Sequence, residues 1–228
     1  MPSLVTLGNL KTKCREQANM EYSKFISDAE LVRYINDSAK DLYNSLVGAG
    51  ELYYLTSYNI SIIGGTDTYD LPADFFKLLG VDYNRGGTVV SLKPFEFAER
   101  NKYTNISYIN TTWYAPFGYV LIGNRLRFVP KPGSADTVTV HYAATLPDMV
   151  SDSDTIDGVS GFETFIIADV CIKMLAKEES DIQPFLIMKQ DTEKRIAQMK
   201  RARDYSAPSR IADVNEPVLN QDWSRWFI

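Results

Sequence analysis

The spacing of apolar residues changes twice along this chain of 228 residues, and this change constrains the fold more than any other feature. From Asp28 to about Gly48, apolar side chains recur every three or four residues, as on one face of a helix. From Glu51 to Pro147, aromatic and β-branched residues interrupted by glycine and proline favour strands. Helical spacing returns at Ser160. The pattern predicts an α+β fold, in which an antiparallel bundle of about four helices carries an inserted small antiparallel β unit.

Local signals predict where the first helices lie. Ser27 and Glu30 have the spacing of a capping box, so a helix should begin at Asp28. Its apolar stripe comprises Leu31, Ile35, Ala39, Leu42 and Leu46. An earlier helix is indicated by the similar spacing of Leu7, Leu10, Cys14 and Ala18. We therefore expect the chain to open with an antiparallel pair of helices.

The second helical region repeats these signals. Ser160 and Glu163 have the capping spacing again, before a segment that is apolar around most of its circumference. That helix should lie at the centre of the core. A last helix is predicted from about Asp181 to Tyr205, with an outer face rich in basic residues: Lys189, Lys194, Arg195, Lys200, Arg201 and Arg203.

The segments between the helical regions predict strands. A hairpin is indicated by YVLIGNRLRF and an alternating strand by VTVHYAATL, whereas Pro94 near the front of LKPFEFAERNKY favours a short helix. The predicted domains are a helical core made of residues 1–50 and 158–206, an inserted antiparallel β domain over residues 51–157, and an extended C-terminal arm over residues 207–228.

Charge is segregated along the chain. The net charge is −5, but residues 148–181 carry nine acidic against two basic residues, and residues 182–210 carry seven basic against three acidic residues. Complementary faces of this kind favour association of identical subunits. The side chains expected at such a subunit interface are Lys194, Arg195, Lys200 and Arg201 against Asp152, Asp154 and Asp157. A protein that binds duplex DNA would be basic overall, so the charge disfavours that class.

The C-terminal arm has no periodicity, yet it ends in large aromatic residues. Two of the three tryptophans lie in its last six residues. Such side chains either pack back on their own domain or bind a pocket on a partner. We expect partner binding through Trp223, Arg225, Trp226, Phe227 and Ile228.

Motifs for nucleotide binding and catalysis do not occur. The sequence has neither a P-loop nor a dinucleotide fingerprint. Around Ser160 the second glycine comes one residue too early for a nucleophile elbow, and a helix cap explains the serine better. Cys14 and Cys171 are interpreted as core residues, because two isolated thiols form neither a disulfide framework nor a zinc knuckle. We expect no catalytic residue and no cofactor.

The loop DSDTIDG, residues 152–158, is called the acidic loop below. It resembles a calcium loop, but Ile156 and Asp157 stand where an oxygen ligand and glycine are required, so a solvated loop is favoured. The single histidine, His141, is expected on a sheet surface. Glu96 and Glu99 are expected on an exposed helical face rather than as an acid/base pair.

Composition and hydropathy predict the broad class. Hydrophobic residues make up 45% and charged residues 23% of the chain, as in globular proteins. No apolar run approaches the ~18 residues of a membrane helix, and the first residues do not resemble a signal peptide. We expect an untargeted, soluble product that does not associate with membranes.

Taken in order, several phrases carry a family resemblance: LVRYINDSAKDLYN, YDLPADFFKLLGVDY, LKPFEFAERN, YVLIGNRLRF, VTVHYAATLP, DSDTIDG and GFETFIIADVCIKMLAKEESD. With this layout, residues 1–206 resemble the head-to-tail adaptor (connector) proteins of tailed bacteriophages, and most of all those of short-tailed phages.

The resemblance implies a structural virion protein made in the host cytoplasm. Such adaptors form a homo-oligomeric ring, here expected to be a dodecamer, below the portal protein at the head-to-tail interface. The ring extends the DNA channel, lets DNA pass without sequence preference, and docks tail, nozzle or fibre proteins. No reaction is catalysed.

Three alternatives stay open. One is another phage tail component of the same architecture, such as a tail tubular or gatekeeper protein. A second is a hydrolase using Glu96, Glu99 or the acidic loop. A third is a small DNA-binding protein using the basic last helix, for which strongly salt-dependent affinity would be expected.

Overall fold

The computed structural model describes residues 4–49, 52–97, 118–133, 135–159 and 161–202. These residues form four helices: α1 (Leu7–Gln17), α2 (Asp28–Ala49), α3 (Glu163–Lys177) and α4 (Gln183–Ala202). They also form the strands β1 (Leu4–Thr6), β2 (Leu55–Ser61), β3 (Thr68–Asp70), β4 (Phe75–Arg85), β5 (Thr88–Ser91), β6 (Lys93–Pro94), β7 (Gly118–Ile122), β8 (Arg125–Val129), β9 (Thr137–Ala144) and β10 (Thr155–Asp157). The predicted mixed α+β class is confirmed.

The helices share one core, and α3 is its centre. This helix contacts all three of the others. Its buried side chains are Phe165, Ile166, Ile167, Ala168, Asp169, Val170, Cys171, Met174 and Leu175, which cover most of its circumference. The predicted apolar stripe of α2 is buried against it, together with the inward residues of α1. The predicted central position of this helix is therefore confirmed.

A side-chain cap marks the start of α2 but not the start of α3. Ser27 Oγ accepts the N–H of Glu30 at 3.3 Å, as the capping spacing predicts, and α2 begins at Asp28. The start of α3 differs from the one predicted by the capping spacing of Ser160 and Glu163. Helix α3 begins only at Glu163, after Phe162, and has no side-chain cap; instead the Glu163 carboxylate accepts the N–H of Gly161 at 2.9 Å. Residue 160 itself lies outside the described residues.

The inserted β unit consists of two four-stranded sheets, in the orders β2-β9-β4-β5 and β3-β8-β7-β6. Apolar residues of both sheets pack into one core, with Val81, Val138 and Val140 from the first and Leu126 and Phe128 from the second. The first sheet is antiparallel throughout. In the second, β6 runs parallel to β7, which is an exception to the antiparallel prediction.

Pro94 lies in a strand rather than in the predicted short helix; a 3-10 turn begins only at Phe97, and residues 98–103 lie outside the described residues. Lys93 and Pro94 form an edge strand beside Gly118 and Tyr119. An edge strand tolerates a proline, because the missing N–H would point away from the sheet. The next N–H, of Phe95, donates to the carbonyl of Tyr119 at 2.9 Å and extends the pairing.

A third, two-stranded sheet joins the start of the chain to the acidic loop. β1 pairs with β10, so that Val5 lies opposite Ile156. Both side chains are buried in the helical core, as is Met149 just before the loop. The end of the segment predicted as the β domain therefore packs with the helices.

The helical core and the first sheet meet at a small apolar contact. Tyr43 and Val47 of α2 pack against Ala143 of β9, and the Tyr43 hydroxyl donates to the carbonyl of Ala144 at 2.5 Å. Tyr54 adds a ring contact with Tyr43, with ring centroids 4.6 Å apart. These contacts attach the sheet to the side of α2.

Candidate assembly surfaces

The basic helix α4 has two kinds of cationic residue. Lys194 and Arg195 are exposed, as an intersubunit contact requires, and the Arg195 guanidinium lies 5.6 Å from the centre of the Phe162 ring. Lys200 and Arg201 belong to α4, but their side chains lie outside the described residues. Lys189 instead turns inward, where its ammonium group contacts a buried carboxylate.

That carboxylate is Asp169 of α3, which is 5% exposed. Lys173 and Lys189 each approach one of its oxygens at 2.8 Å, and the buried hydroxyl of Ser38 donates to it at 2.6 Å. Burial alone would raise the pKa of Asp169, but the hydrogen bonds from Lys173, Lys189 and Ser38 outweigh it and lower the pKa. The cluster holds α2, α3 and α4 together.

The acidic loop is bound to its own subunit. Asp152 accepts a hydrogen bond from Lys11 at 3.1 Å, and Asp157 accepts one from Tyr53 at 2.7 Å. Asp154 accepts the N–H groups of Val150 and Ser151 at 2.7 and 2.8 Å, which lowers its pKa. All three carboxylates thus stabilise the local fold.

The backbone of the same loop caps helix α1. The N–H groups of Leu7 and Gly8 donate to the carbonyls of Asp154 and Asp152 at 2.8 and 3.0 Å. These are N–H groups of the first turn, which have no partner inside the helix. Nothing in the local sequence signals this contact, because its two sides are about 145 residues apart.

The described members of the two predicted charged groups do not meet within one chain. Among the residues it describes, no ion pair joins Lys194 or Arg195 to the acidic loop. Asp152 nevertheless keeps a side chain that is 70% exposed beside Lys11. It is therefore the loop carboxylate most accessible to a neighbouring subunit.

His141 lies on the outer face of the first sheet, as predicted. Its Nε2 is 3.0 Å from Asp82, whose other oxygen accepts the Ser91 hydroxyl at 2.7 Å. The hydrogen bond from Ser91, together with His141, lowers the pKa of Asp82 against a smaller effect of burial. The serine contacts the carboxylate and not the imidazole, so the histidine does not activate it as a nucleophile.

Among the described residues, the other candidates for chemistry do not form a site. Glu96 is exposed, and Glu99 lies outside the described residues. Cys14 and Cys171 are free and buried, which confirms their interpretation as core residues, and burial raises the pKa of both thiols. In the described ranges, no group of three or more His, Cys, Asp or Glu residues could hold a metal ion.

The sequence does not predict the two exposed edges of the first sheet. β2 and β5 are its outermost strands, and they expose Leu55, Tyr58, Val89 and Val90 by 47%, 47%, 60% and 54%. Alternation of apolar residues predicts strands, but sheet order, which decides the edges, depends on contacts between distant segments. The arm residues Trp223, Arg225, Trp226, Phe227 and Ile228 lie outside the described residues.

The carboxylates of the acidic loop, Asp169, and the pair of Asp82 and His141 thus bond to groups of their own fold. The chain belongs to the SU10 adaptor protein family, whose family model matches residues 5–212. It is accordingly a bacteriophage protein of adaptor type, a virion component rather than a member of an enzyme class. Adaptors of this type associate with portal and tail proteins.

No curated protein matches the chain. In the described part of the chain, none of the helices has the length and hydropathy needed to cross a bilayer.

Proposed function

We propose that this protein is the head-to-tail adaptor of a short-tailed phage. It forms a ring, with twelve copies expected, below the portal protein, where it extends the DNA channel and docks tail or nozzle proteins. The observation that carries the proposal is the family match, which spans the helices and the β unit together rather than one of them. The fold supports it with a packed helical core that carries a β unit attached at the side of α2.

Each region has a proposed role. Residues 1–50 and 158–206 form the helical core, and residues 51–157 the inserted β domain, whose end, with Met149 and Ile156, packs on the helices. Residues 207–228 form an arm whose terminal aromatic residues bind a neighbouring protein. A closed ring needs two different complementary faces on each subunit. The exposed side chains of Lys194 and Arg195, with Lys200 and Arg201 on the same helix, supply one charged face, and Asp152 is the most accessible member of the other.

The test is attachment to phage heads that are filled with DNA but lack tails. The purified protein should bind such heads as a ring at the portal vertex, visible by electron microscopy, and should prevent leakage of DNA once tail proteins are added. Binding only to isolated tails would assign the chain to the tail tubular or gatekeeper alternative. Binding to neither would contradict an adaptor function.

A further inference from the structure

The two sheets of the β unit protect their edges differently. The second sheet ends in β3, where Asp70 pairs with Arg125 at 2.7 Å, and in β6, which is Lys93–Pro94. Charges and proline at an edge strand prevent pairing with other chains. The first sheet ends in β2, with the sequence LTSYNIS, and β5, with the sequence TVVS. Neither strand contains a charged residue or a proline, so this sheet lacks these protective devices at both edges.

The hydrogen-bond phase of β2 shows which of its backbone groups are not used by β9. Ile62 N–H donates to the carbonyl of Asp136 at 2.8 Å. Because bonded and non-bonded pairs alternate in an antiparallel ladder, the N–H groups of Ser57, Asn59 and Ser61 point away from β9. No strand of the described part of the chain pairs with that side of β2.

The same reasoning applies to β5. Leu92 N–H donates to the carbonyl of Val81 at 2.8 Å, so the N–H groups of Val89 and Ser91 point away from β4. Gly86 and Gly87, both with positive φ, form the two-residue turn that leads into β5. The turn places β5 directly beside β4, and among the described strands β5 is the outermost at this edge of the sheet.

The directions of the strands decide how two copies can join. In the antiparallel order β2-β9-β4-β5, the two edge strands run in opposite directions. A second copy placed alongside in the same orientation therefore has its β2 antiparallel to the β5 of the first. The contact is heterologous and leaves one edge of each kind free, so it can repeat around a ring.

We propose that β5 of one subunit pairs with β2 of the next, which joins the first sheets of all subunits into a continuous belt. The inference rests on the proposed ring and specifies its interface. Each subunit would add four strands, or about 19 Å, to the circumference. Tyr58 and Val90, both about half exposed, would lie on the same face of the joined sheet and bury each other.

The experiment places charges on the two edges and measures assembly on tail-less heads. Ser57→Lys combined with Val89→Lys puts like charges on strands that should be adjacent, and we expect ring assembly to fall at least tenfold. Ser57→Lys combined with Val89→Glu should restore most of it. Thr68→Lys, on the protected β3 edge, is the matched control and should assemble like the wild type.

Recovery by glutamate excludes misfolding caused by Ser57→Lys, because both double variants share that substitution. An unfolding midpoint of the double-lysine variant near that of the wild type excludes misfolding caused by Val89→Lys. Wild-type assembly of the double-lysine variant would overturn the pairing and leave the ring itself standing. An effect of Ser57→Lys without any effect of the Val89 substitutions would also overturn it, since another segment or a second β2 would then occupy the edge. If the wild type forms no ring on heads, the proposed function fails, and the pairing fails with it.

Discussion

Among the described residues, Asp169 is the one buried side chain that carries a charge. It is the buried carboxylate that receives Lys173, Lys189 and Ser38 from three helices. Removing one partner from a buried charge cluster leaves the remaining charges without compensation. The two lysines keep 30% and 26% of their side chains exposed, so part of this cost is relieved by water.

Asp169→Ala is therefore expected to lower the free energy of unfolding by about 3 kcal/mol. Urea unfolding followed by circular dichroism measures this change. Asp148→Ala is the matched control, because Asp148 pairs with Lys40 on the surface at 2.6 Å and should cost less than about 1 kcal/mol. Equal losses in the two variants would contradict a special role for the buried cluster.

The same carboxylate predicts a pH dependence. The pKa of Asp169 is lowered in the folded protein, so its contribution to stability is present above the unfolded pKa of about 3.9 and is lost as pH falls below that value. The stability difference between wild type and Asp169→Ala should be constant from pH 7 to pH 5 and shrink near pH 3. A constant difference at pH 3 would show that the cluster does not depend on ionisation.

At this scale the sequence predicts apolar burial well but not ionic burial. The stripe from Leu31 to Leu46 is inward as its spacing requires. The sequence predicts Lys189 on the exposed basic face, because its helix position alone does not reveal the carboxylate of Asp169 on α3. The two partners are 20 residues apart and meet only when α4 packs on α3.

Among the secondary-structure elements, the three-residue strand β1 is expected to contribute more to stability than its length suggests. Its three residues pair with β10, bury Val5 and end at Thr6, whose hydroxyl accepts the N–H of Asn9 as the cap of α1. A chain terminus is usually dispensable unless it is tied into the core in this way. This strand could not be predicted, because three residues are too few for a periodic signal and the partner lies about 150 residues away.

Deleting residues 1–5 should therefore destabilise the protein by about 2 to 3 kcal/mol, chiefly through the lost burial of Val5. Thermal unfolding of this variant would be compared with that of a variant lacking residues 1–3, which precede β1. The shorter deletion should leave the unfolding midpoint unchanged. A midpoint unaffected by both deletions would mean that β1 contributes nothing to stability.

The sequence predicts those longer elements whose signals lie within a few neighbouring residues. The hairpin of β7 and β8 around Gly123 and Asn124 and the alternating strand β9 are present as expected. The division into two sheets with a shared core was not predicted, nor was the parallel pair of β6 and β7. Those features depend on which strands meet, and neighbouring residues do not encode that choice.

For the whole molecule, the charged helix α4 gives a prediction about assembly. Reversing Lys194, Arg195, Lys200 and Arg201 to glutamate should weaken ring formation at least tenfold, while the unfolding midpoint stays near that of the wild type. Sedimentation of the ring on tail-less heads measures the effect. Raising salt should weaken wild-type rings in the same direction, because surface attraction is screened over about 10 Å at 0.1 M salt.

If the reversed variant forms normal rings, the charges of α4 do not contribute to the interface between subunits. All three carboxylates of the acidic loop bond within their own subunit, but the Asp152 side chain stays 70% exposed beside Lys11. Asp152 is therefore the loop carboxylate to reverse in a complementary variant.

The arm gives a separate prediction. Deleting residues 221–228 removes Trp223, Trp226 and Phe227 and should abolish binding to portal or tail protein, with no change in the unfolding midpoint. Co-sedimentation with purified portal and with tails tests both partners. Replacing only Arg225 with alanine is the milder control, and we expect it to reduce binding rather than abolish it. Undiminished binding by the shortened chain would contradict the arm as an anchor.

Cys14 and Cys171 are buried between α1 and α3, so the rate at which their thiols are modified can report opening of the helical core. Cys171 Sγ contacts the carbonyl of Cys14 at 3.7 Å, and neither side chain is accessible in the folded chain. A thiol reagent can then label them only when the two helices separate, so the labelling rate reports how often the helical core opens. Comparing that rate for free subunits and for subunits mounted on a head would measure how firmly attachment locks the chain.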